Sequence, residues 1–322
     1  MVRFGVIGTN SITDWFLEAA AEAEGFALGA VYSRNEETGR AFADKYGCPV
    51  VYTSLEDLAA SDKIDAVYVA SPNSLHCAQS IMMMNGGKHV LCEKPAASDA
   101  EELEQMLAAA KRNHVVFLEA MRPVFDPGFA RIQELLPELG KIRNVLFQYC
   151  KYSSRYDKFK EGVIMNAFNP ALSNAALMDI GVYCVHPMVK LFGMPERVTG
   201  RSIFLENGME GAGTVVAQYD GMQAVLQYSK ITNCILPSQI QGEDATIVIR
   251  EIPDTREIEL HRRNGEMEVI RIEKKSNNMY YETAEFIRLI ESGEDAREHN
   301  RYSQMEMKVM DEIRADAGIK FC

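Results

Sequence analysis

Through the first 120 residues, short runs of apolar residues alternate with amphipathic stretches of helical period. The period-2 and buried-run patterns predict strands over Arg3–Ile7, Ala27–Tyr32, Ala66–Ala70, His89–Leu91 and Val115–Glu119. The intervening 3.6-period patterns predict helices over Trp15–Ala23, Glu36–Tyr46, Leu55–Ala59, His76–Asn85 and Ala100–Lys111. Strand and helix alternating at this spacing, with right-handed crossovers, predict an α/β fold built on a doubly wound parallel sheet.

The pattern changes after Pro123 and the Asp126-Pro127-Gly128 turn, which places a domain boundary near residue 121. The expected division is therefore 1–121 and 122–322. In the second part a helix over Phe129–Leu136 leads into long β-type segments: Ile142–Tyr152, Arg197–Phe204, Gly213–Tyr219, Gln223–Tyr228, Ser238–Gln241, Thr246–Arg250, Arg256–His261 and Glu268–Ile272. Short turns at Asp220-Gly221 and Asn264-Gly265 predict antiparallel hairpins. A helix over Leu177–Leu191 interrupts the strands. Helices over Met279–Ser292 and Tyr302–Ala315 end the chain, the latter able to pack back on the first domain.

Composition narrows the class. The chain has 322 residues, 47% hydrophobic and 25% charged, which is globular, and its formal net charge of -12 argues against a nucleic-acid surface. Cys48, Cys77, Cys92, Cys150, Cys184, Cys234 and Cys322 show no metal-binding spacing and read as reduced thiols, so no metal is expected. A strand follows at once on Met1, and no apolar run is expected to approach the roughly 18 residues of a membrane span; the expected location is cytoplasmic.

Four turns carry the candidate chemistry. The first, Gly8-Thr9-Asn10-Ser11-Ile12-Thr13, keeps only the first glycine of a G-x-G-x-x-G fingerprint. Asn10 replaces the second glycine and is expected to tolerate a left-handed backbone. Thr13 replaces the third, and a purely structural turn is the plain alternative. The second predicted strand ends Tyr32-Ser33-Arg34-Asn35 with no acid to read a ribose hydroxyl. Ser33 and Arg34 instead suit a 2′-phosphate, which favours NADP over NAD. In the turn Ser71-Pro72-Asn73, Asn73 is positioned to cap the next helix, and with His76 it is a candidate for the nicotinamide half of the cofactor. Finally, Glu93-Lys94-Pro95 follows an apolar strand, which puts Lys94 at the ligand-binding edge of a parallel sheet.

These residues, with Gly87-Lys88-His89-Val90-Leu91-Cys92, Glu119-Ala120-Met121 and Ala176-Leu177-Met178-Asp179-Ile180-Gly181-Val182-Tyr183, resemble the glucose–fructose oxidoreductase/inositol dehydrogenase (Gfo/Idh/MocA) family along essentially the whole chain. The resemblance implies a Rossmann domain followed by an α/β domain with a large, mostly antiparallel open sheet that often forms a dimer interface. It implies a homodimer or dimer of dimers, and it carries Lys94, Asp179 and Tyr183 onto the family's catalytic positions, His186 less directly.

Asp179, Tyr183 and His186 are spaced i, i+4, i+7, which predicts one polar helical face. Tyr183 is the expected acid/base, with Lys94 beside it and Asp179 orienting the lysine or binding a substrate hydroxyl. A cation ~4 Å away at an effective dielectric of ~20 contributes about 4 kcal/mol to the ionised phenol. The bland alternative makes Asp179 a helix-end carboxylate, Tyr183 a half-buried aromatic and His186 a satisfied core histidine. The expected function is NAD(P)-dependent hydride transfer at a hydroxyl or carbonyl of a sugar, polyol, cyclitol or dihydrodiol, with no nucleic-acid or membrane partner. The rivals are a redox-neutral sugar-modifying enzyme and a non-catalytic dinucleotide sensor of the same fold.

Overall fold

Six strands near the N-terminus, β1 (Val2–Ile7), β2 (Phe26–Tyr32), β3 (Val51–Tyr52), β4 (Ala66–Val69), β5 (His89–Glu93) and β6 (Phe117–Ala120), make a parallel sheet in the order β3-β2-β1-β4-β5-β6. The computed structural model describes residues 1–321; Cys322 lies outside them. The crossovers are α1 (Ser11–Ala20), α2 (Glu36–Lys45), α3 (Leu55–Ala60), α4 (Asn73–Asn85) and α5 (Ala100–Asn113). Central β4, Ala-Val-Tyr-Val, is buried at every residue, as a strand covered on both faces must be. Its Tyr68 ring stacks on Phe16 of α1 at 3.7 Å, and its hydroxyl donates to Glu93 at the end of β5. The two-residue β3 carries too little periodicity to be read from sequence.

The second sheet has eight strands: β7 (Ile142–Cys150), β8 (Arg197–Phe204), β9 (Glu210–Tyr219), β10 (Met222–Ser229), β11 (Ser238–Gly242), β12 (Ala245–Ile249), β13 (Glu257–Arg262) and β14 (Met267–Arg271). Their order is β14-β13-β12-β11-β7-β10-β9-β8, and every pairing is antiparallel except β7 with β10. With α6 (Pro127–Leu135), α7 (Tyr156–Lys160) and α8 (Val182–Phe192) this forms an α/β layer. The α8 face that covers the sheet supplies Val182, Val185 and Val189, all fully buried among Val145, Val215 and Leu226. The segment Pro170–Phe192 is apolar enough by composition to span a membrane, contrary to the sequence expectation, but 72% of its apolar stretch is buried within the fold.

The chain closes with α9 (Met279–Ser292) and α10 (Arg297–Ala317). Two compact units result: residues 1–120 with 275–304, and residues 121–274 with 305–321. The simple division at residue 121 therefore needs one correction, since Lys275–Gln304 groups with the first unit. Phe286 of α9 explains it: the ring is fully buried and lies 5.8 Å from Phe4 of β1. An amphipathic helix joins whichever core accepts its apolar stripe, and its sequence neighbours do not reveal which.

Candidate functional site

In the first unit the chemistry collects where β1, β2, β4 and β5 end. Gly8 has φ +113°, and a Cβ there would lie 2.7 Å from the Ala70 carbonyl oxygen. Two strand ends thus meet where only glycine fits. Asn10 corrects the sequence reading. Its backbone is extended, not left-handed, because Gly8 already makes the reversal. Its side chain does the work instead: Nδ2 donates to Ala70 O at 2.9 Å, while Oδ1 accepts from the amides of Ile12 and Thr13. One amide group both caps α1 and ties the first turn to β4. Thr9 and Ser11 flank it, and fully buried Thr13 packs where the third glycine would sit.

Asn73 needs a second correction. It is the first residue of α4, preceded by Pro72, so it is not the side-chain cap. The helix begins three residues earlier than periodicity suggested, because Asn73-Ser74-Leu75 carry no apolar period. His76 is buried, with Nδ1 2.9 Å from Pro95 O and Nε2 2.9 Å from Ser71 O. Burial lowers its pKa against the opposing pull of those two carbonyls. A neutral imidazole donates to one of them only. His76 therefore braces the Ser71 turn against the Lys94-Pro95 turn, whose peptide is cis.

That second turn is held from below as well. Glu119 of β6, 2% exposed, accepts from the amide of Ala96 at 2.9 Å and from the Ser303 hydroxyl. Glu102 accepts from the amide of Ser98 at 2.8 Å. Glu93 takes the Tyr68 hydroxyl on one carboxylate oxygen and the Lys94 amide on the other. The half-buried Lys94 side chain thus projects from a turn whose backbone is fixed on every side.

The residues present fit a dinucleotide. The Gly8 turn allows close backbone approach before the N-terminus of α1. The Ser71 hydroxyl is buried without a hydrogen-bond partner. Beyond β2, Ser33 is buried with its Oγ accepting from Asn35 N at 3.3 Å, and Arg34 is exposed with no carboxylate partner among the described residues.

In the second unit a π-helical turn, Leu177–Gly181, precedes α8 and carries Asp179. Exposure separates the three residues of the expected polar face: Asp179 reaches solvent, whereas Tyr183 and His186 are buried. Asp179 remains about a third exposed and pairs with Lys230 at 2.7 Å. Tyr183 is 8% exposed, edge-on to Tyr149 at 5.5 Å and beneath the Arg122 guanidinium at 5.4 Å. His186 is 3% exposed and buried against Glu306, Nδ1 to Oε2 at 2.5 Å, which sets it inside this unit's core. Glu210 of β9, 1% exposed, accepts from the amide of Leu177 at 2.7 Å and from the hydroxyls of Ser202 and Tyr228. Burial raises its pKa, partly offset by those donors.

Sequence reasoning missed Lys230, Glu210 and Arg122. Lys230 follows β10, an interior strand between β7 and β9, and a charge at a strand end carries no local signal.

A doubly wound parallel sheet followed by an α/β domain on a large, mostly antiparallel sheet is the architecture of a two-domain dinucleotide-dependent oxidoreductase. The family models agree: residues 2–121 match the oxidoreductase family with NAD-binding Rossmann fold, and residues 129–248 match the GFO/IDH/MocA C-terminal domain. The chain belongs to the GFO/IDH/MocA family. It is 48% identical over 100% of its length to scyllo-inositol 2-dehydrogenase (NADP(+)) IolU of Bacillus subtilis, covering 98% of that protein. It is 40% identical, over 100% of this chain and 98% of the other, to the uncharacterized oxidoreductase YgjR of Escherichia coli. The fold superposes on the 3-ketoreductase KijD10 of Actinomadura kijaniata, solved with TDP-benzene and NADP, with a TM-score of 0.86 at 21% identity over 98% of both chains.

Proposed function

We propose that this protein is a cytoplasmic NADP-dependent dehydrogenase that interconverts a ring hydroxyl and a ketone on a cyclic polyol of the inositol type. The single observation that carries this reading is the 48% identity, end to end, to an enzyme named for that reaction. Bound nicotinamide supplies or accepts the hydride. Ser33 and Arg34 bind the 2′-phosphate through charge-assisted hydrogen bonds. Lys94 donates to the reacting oxygen and stabilises the charge that develops there. Tyr183 moves the proton at its hydroxyl oxygen, and the partly exposed Asp179 accepts from a neighbouring ring hydroxyl. Such a ring offers several hydroxyls and no charge, which suits a site with a carboxylate already paired to a lysine.

The open face of the eight-stranded sheet exposes Ile203, Val216, Met267 and Val269. We assign it as the surface on which a second copy docks, giving a homodimer or dimer of dimers.

The test is a titration with NADPH and NADH followed by nicotinamide fluorescence, then oxidation of scyllo-inositol with NADP+ followed by absorbance. NADPH is expected to bind at least about tenfold more tightly, the worth of one charge-assisted bond. Equal binding of both cofactors would overturn the role of Arg34. No reduction of NADP+ by any inositol isomer would overturn the substrate class.

A further inference from the structure

The second unit contains a lysine whose surroundings ordinary stability does not require. Lys230, immediately after β10, is 2% exposed, yet its partner Asp179 is 37% exposed in the side chain. The ammonium gives one bond to Asp179 Oδ2 at 2.7 Å and another to the Ala167 carbonyl at 2.7 Å. Its third side faces the Phe168 ring, 5.0 Å from the centroid. The ammonium is therefore enclosed by a carboxylate, a carbonyl and an aromatic face, and the side chain is 2% exposed. The main chain is fixed too: Lys230 N donates to Gly211 O at 2.9 Å, and Lys230 O accepts from Ser153 N at 2.8 Å.

This asymmetry is informative. Burying an ammonium is costly, and replacing such a pair by apolar side chains commonly leaves stability equal or higher. A fixed cation beneath a carboxylate that emerges into solvent has a different use. It attracts that carboxylate and holds it in one rotamer. The need is specific here, because Asp179 sits on a π-helical turn, where the regular register that would otherwise set its direction is lost. Glu210 holds the start of that turn through the Leu177 amide, and Lys230 holds its functional end.

We propose that Lys230 is a positioning residue of the dehydrogenase: through Asp179 alone, it fixes the carboxylate that receives the polyol. This rests on the function proposed above. Lys230 itself does not reach substrate, since its ammonium is enclosed.

The experiment is a double-mutant cycle on the full-length protein with Lys230→Met, Asp179→Asn and the double variant, using scyllo-inositol and NADP+. Lys230→Met is expected to lower kcat/KM by about 10- to 100-fold, the range for residues that orient a ligating group. NADPH affinity is expected to stay within about twofold, because the cofactor residues lie in the other unit. In the Asp179→Asn background the same substitution is expected to change kcat/KM less than about threefold, since the group it acts through is gone. A purely structural lysine would lose the same factor in both backgrounds, and that result would overturn the proposal. So would Lys230→Met activity within threefold of wild type. If Lys230→Met does not fold, the cycle is run with Lys230→Arg, which retains the charge but not the geometry, and the same criteria apply. Inactive wild-type protein would overturn the assigned function and this inference with it, whereas active wild type with additive variants overturns the inference alone.

Discussion

The two units solve one problem, holding a polar group in place, by different means. In the first, the site is made of loops at the ends of parallel strands. Those loops are held by neutral groups or by carboxylates that accept from backbone amides: Asn10 on Ala70, His76 between Ser71 and Pro95, Glu119 on Ala96. In the second, the site is a helical turn laid on a sheet, held by buried side chains of full or potential charge: Lys230 on Asp179, Glu210 on Leu177, His186 against Glu306. The first arrangement makes the functional side chain separable from the fold. In the second, each supporting group is also a buried polar atom whose partner cannot be removed cheaply. Function and stability should therefore come apart in one unit and move together in the other.

The largest effect that tests this contrast is at Lys94. Lys94→Ala is expected to reduce kcat/KM with scyllo-inositol by about 1000-fold, within the range for loss of a group that acts on the reacting oxygen. Urea-unfolding stability should change by less than about 1 kcal/mol, because Glu93, Glu119 and His76 hold the backbone of this turn and the substitution leaves them in place. Turnover within tenfold of wild type would remove Lys94 from the chemistry. A large loss of stability would show that the first unit is no more separable than the second.

Glu210 probes the other side. Glu210→Ala strands the Leu177 amide and two buried hydroxyls, and is expected to cost about 2–3 kcal/mol in urea unfolding. Glu210→Gln keeps an acceptor and removes a carboxylate whose pKa burial has raised. A raised folded-state pKa means stability that is full below the unfolded value, about 4.5, and is lost as pH rises through the folded value. At neutral pH the Gln variant should thus lose less than about 1 kcal/mol. Equal losses for both variants would mean that the charge, and not the acceptor, holds the π-helical turn.

The smallest effect concerns His76. Its folded-state pKa is lowered by burial, so below about pH 6.5 the unfolded chain takes up a proton that the folded chain resists. The corresponding stability is fully present above about pH 6.5 and is lost as pH falls through the folded value. His89, lowered by its own burial, titrates in the same direction, so the comparison must be a difference. Stability against pH should be shallower for His76→Gln than for wild type, by up to ~1.4 kcal/mol per pH unit. Parallel curves would mean that folding leaves the His76 pKa unshifted, and a steeper curve for the variant that the folded imidazole is held protonated between the two carbonyls.

Much of the first unit was legible because its information is local. Each strand-turn-helix repeat carries its own periodicity, and the parallel order follows from the handedness of the crossovers. The Glu93-Lys94-Pro95 run reads directly as the end of an apolar strand. Even there the errors were conformational: Asn10 was assigned a left-handed backbone that Gly8 had already supplied, and Asn73 a cap that falls to Pro72.

The sequence by itself determined two domains, a parallel and a mostly antiparallel sheet, the family, and the residues most suited to the chemistry. Only the tertiary structure decided that α9 joins the first core, that Tyr183 and His186 are buried while Asp179 reaches solvent, and that Asp179 rests on a lysine with no local signal. The reason is distance along the chain. Hydrophobic period acts within a dozen residues, whereas Glu210 reaches Leu177 across 33 positions and His186 reaches Glu306 across 120. Such partners are chosen by how strands register and helices pack, and no short stretch of sequence records that choice.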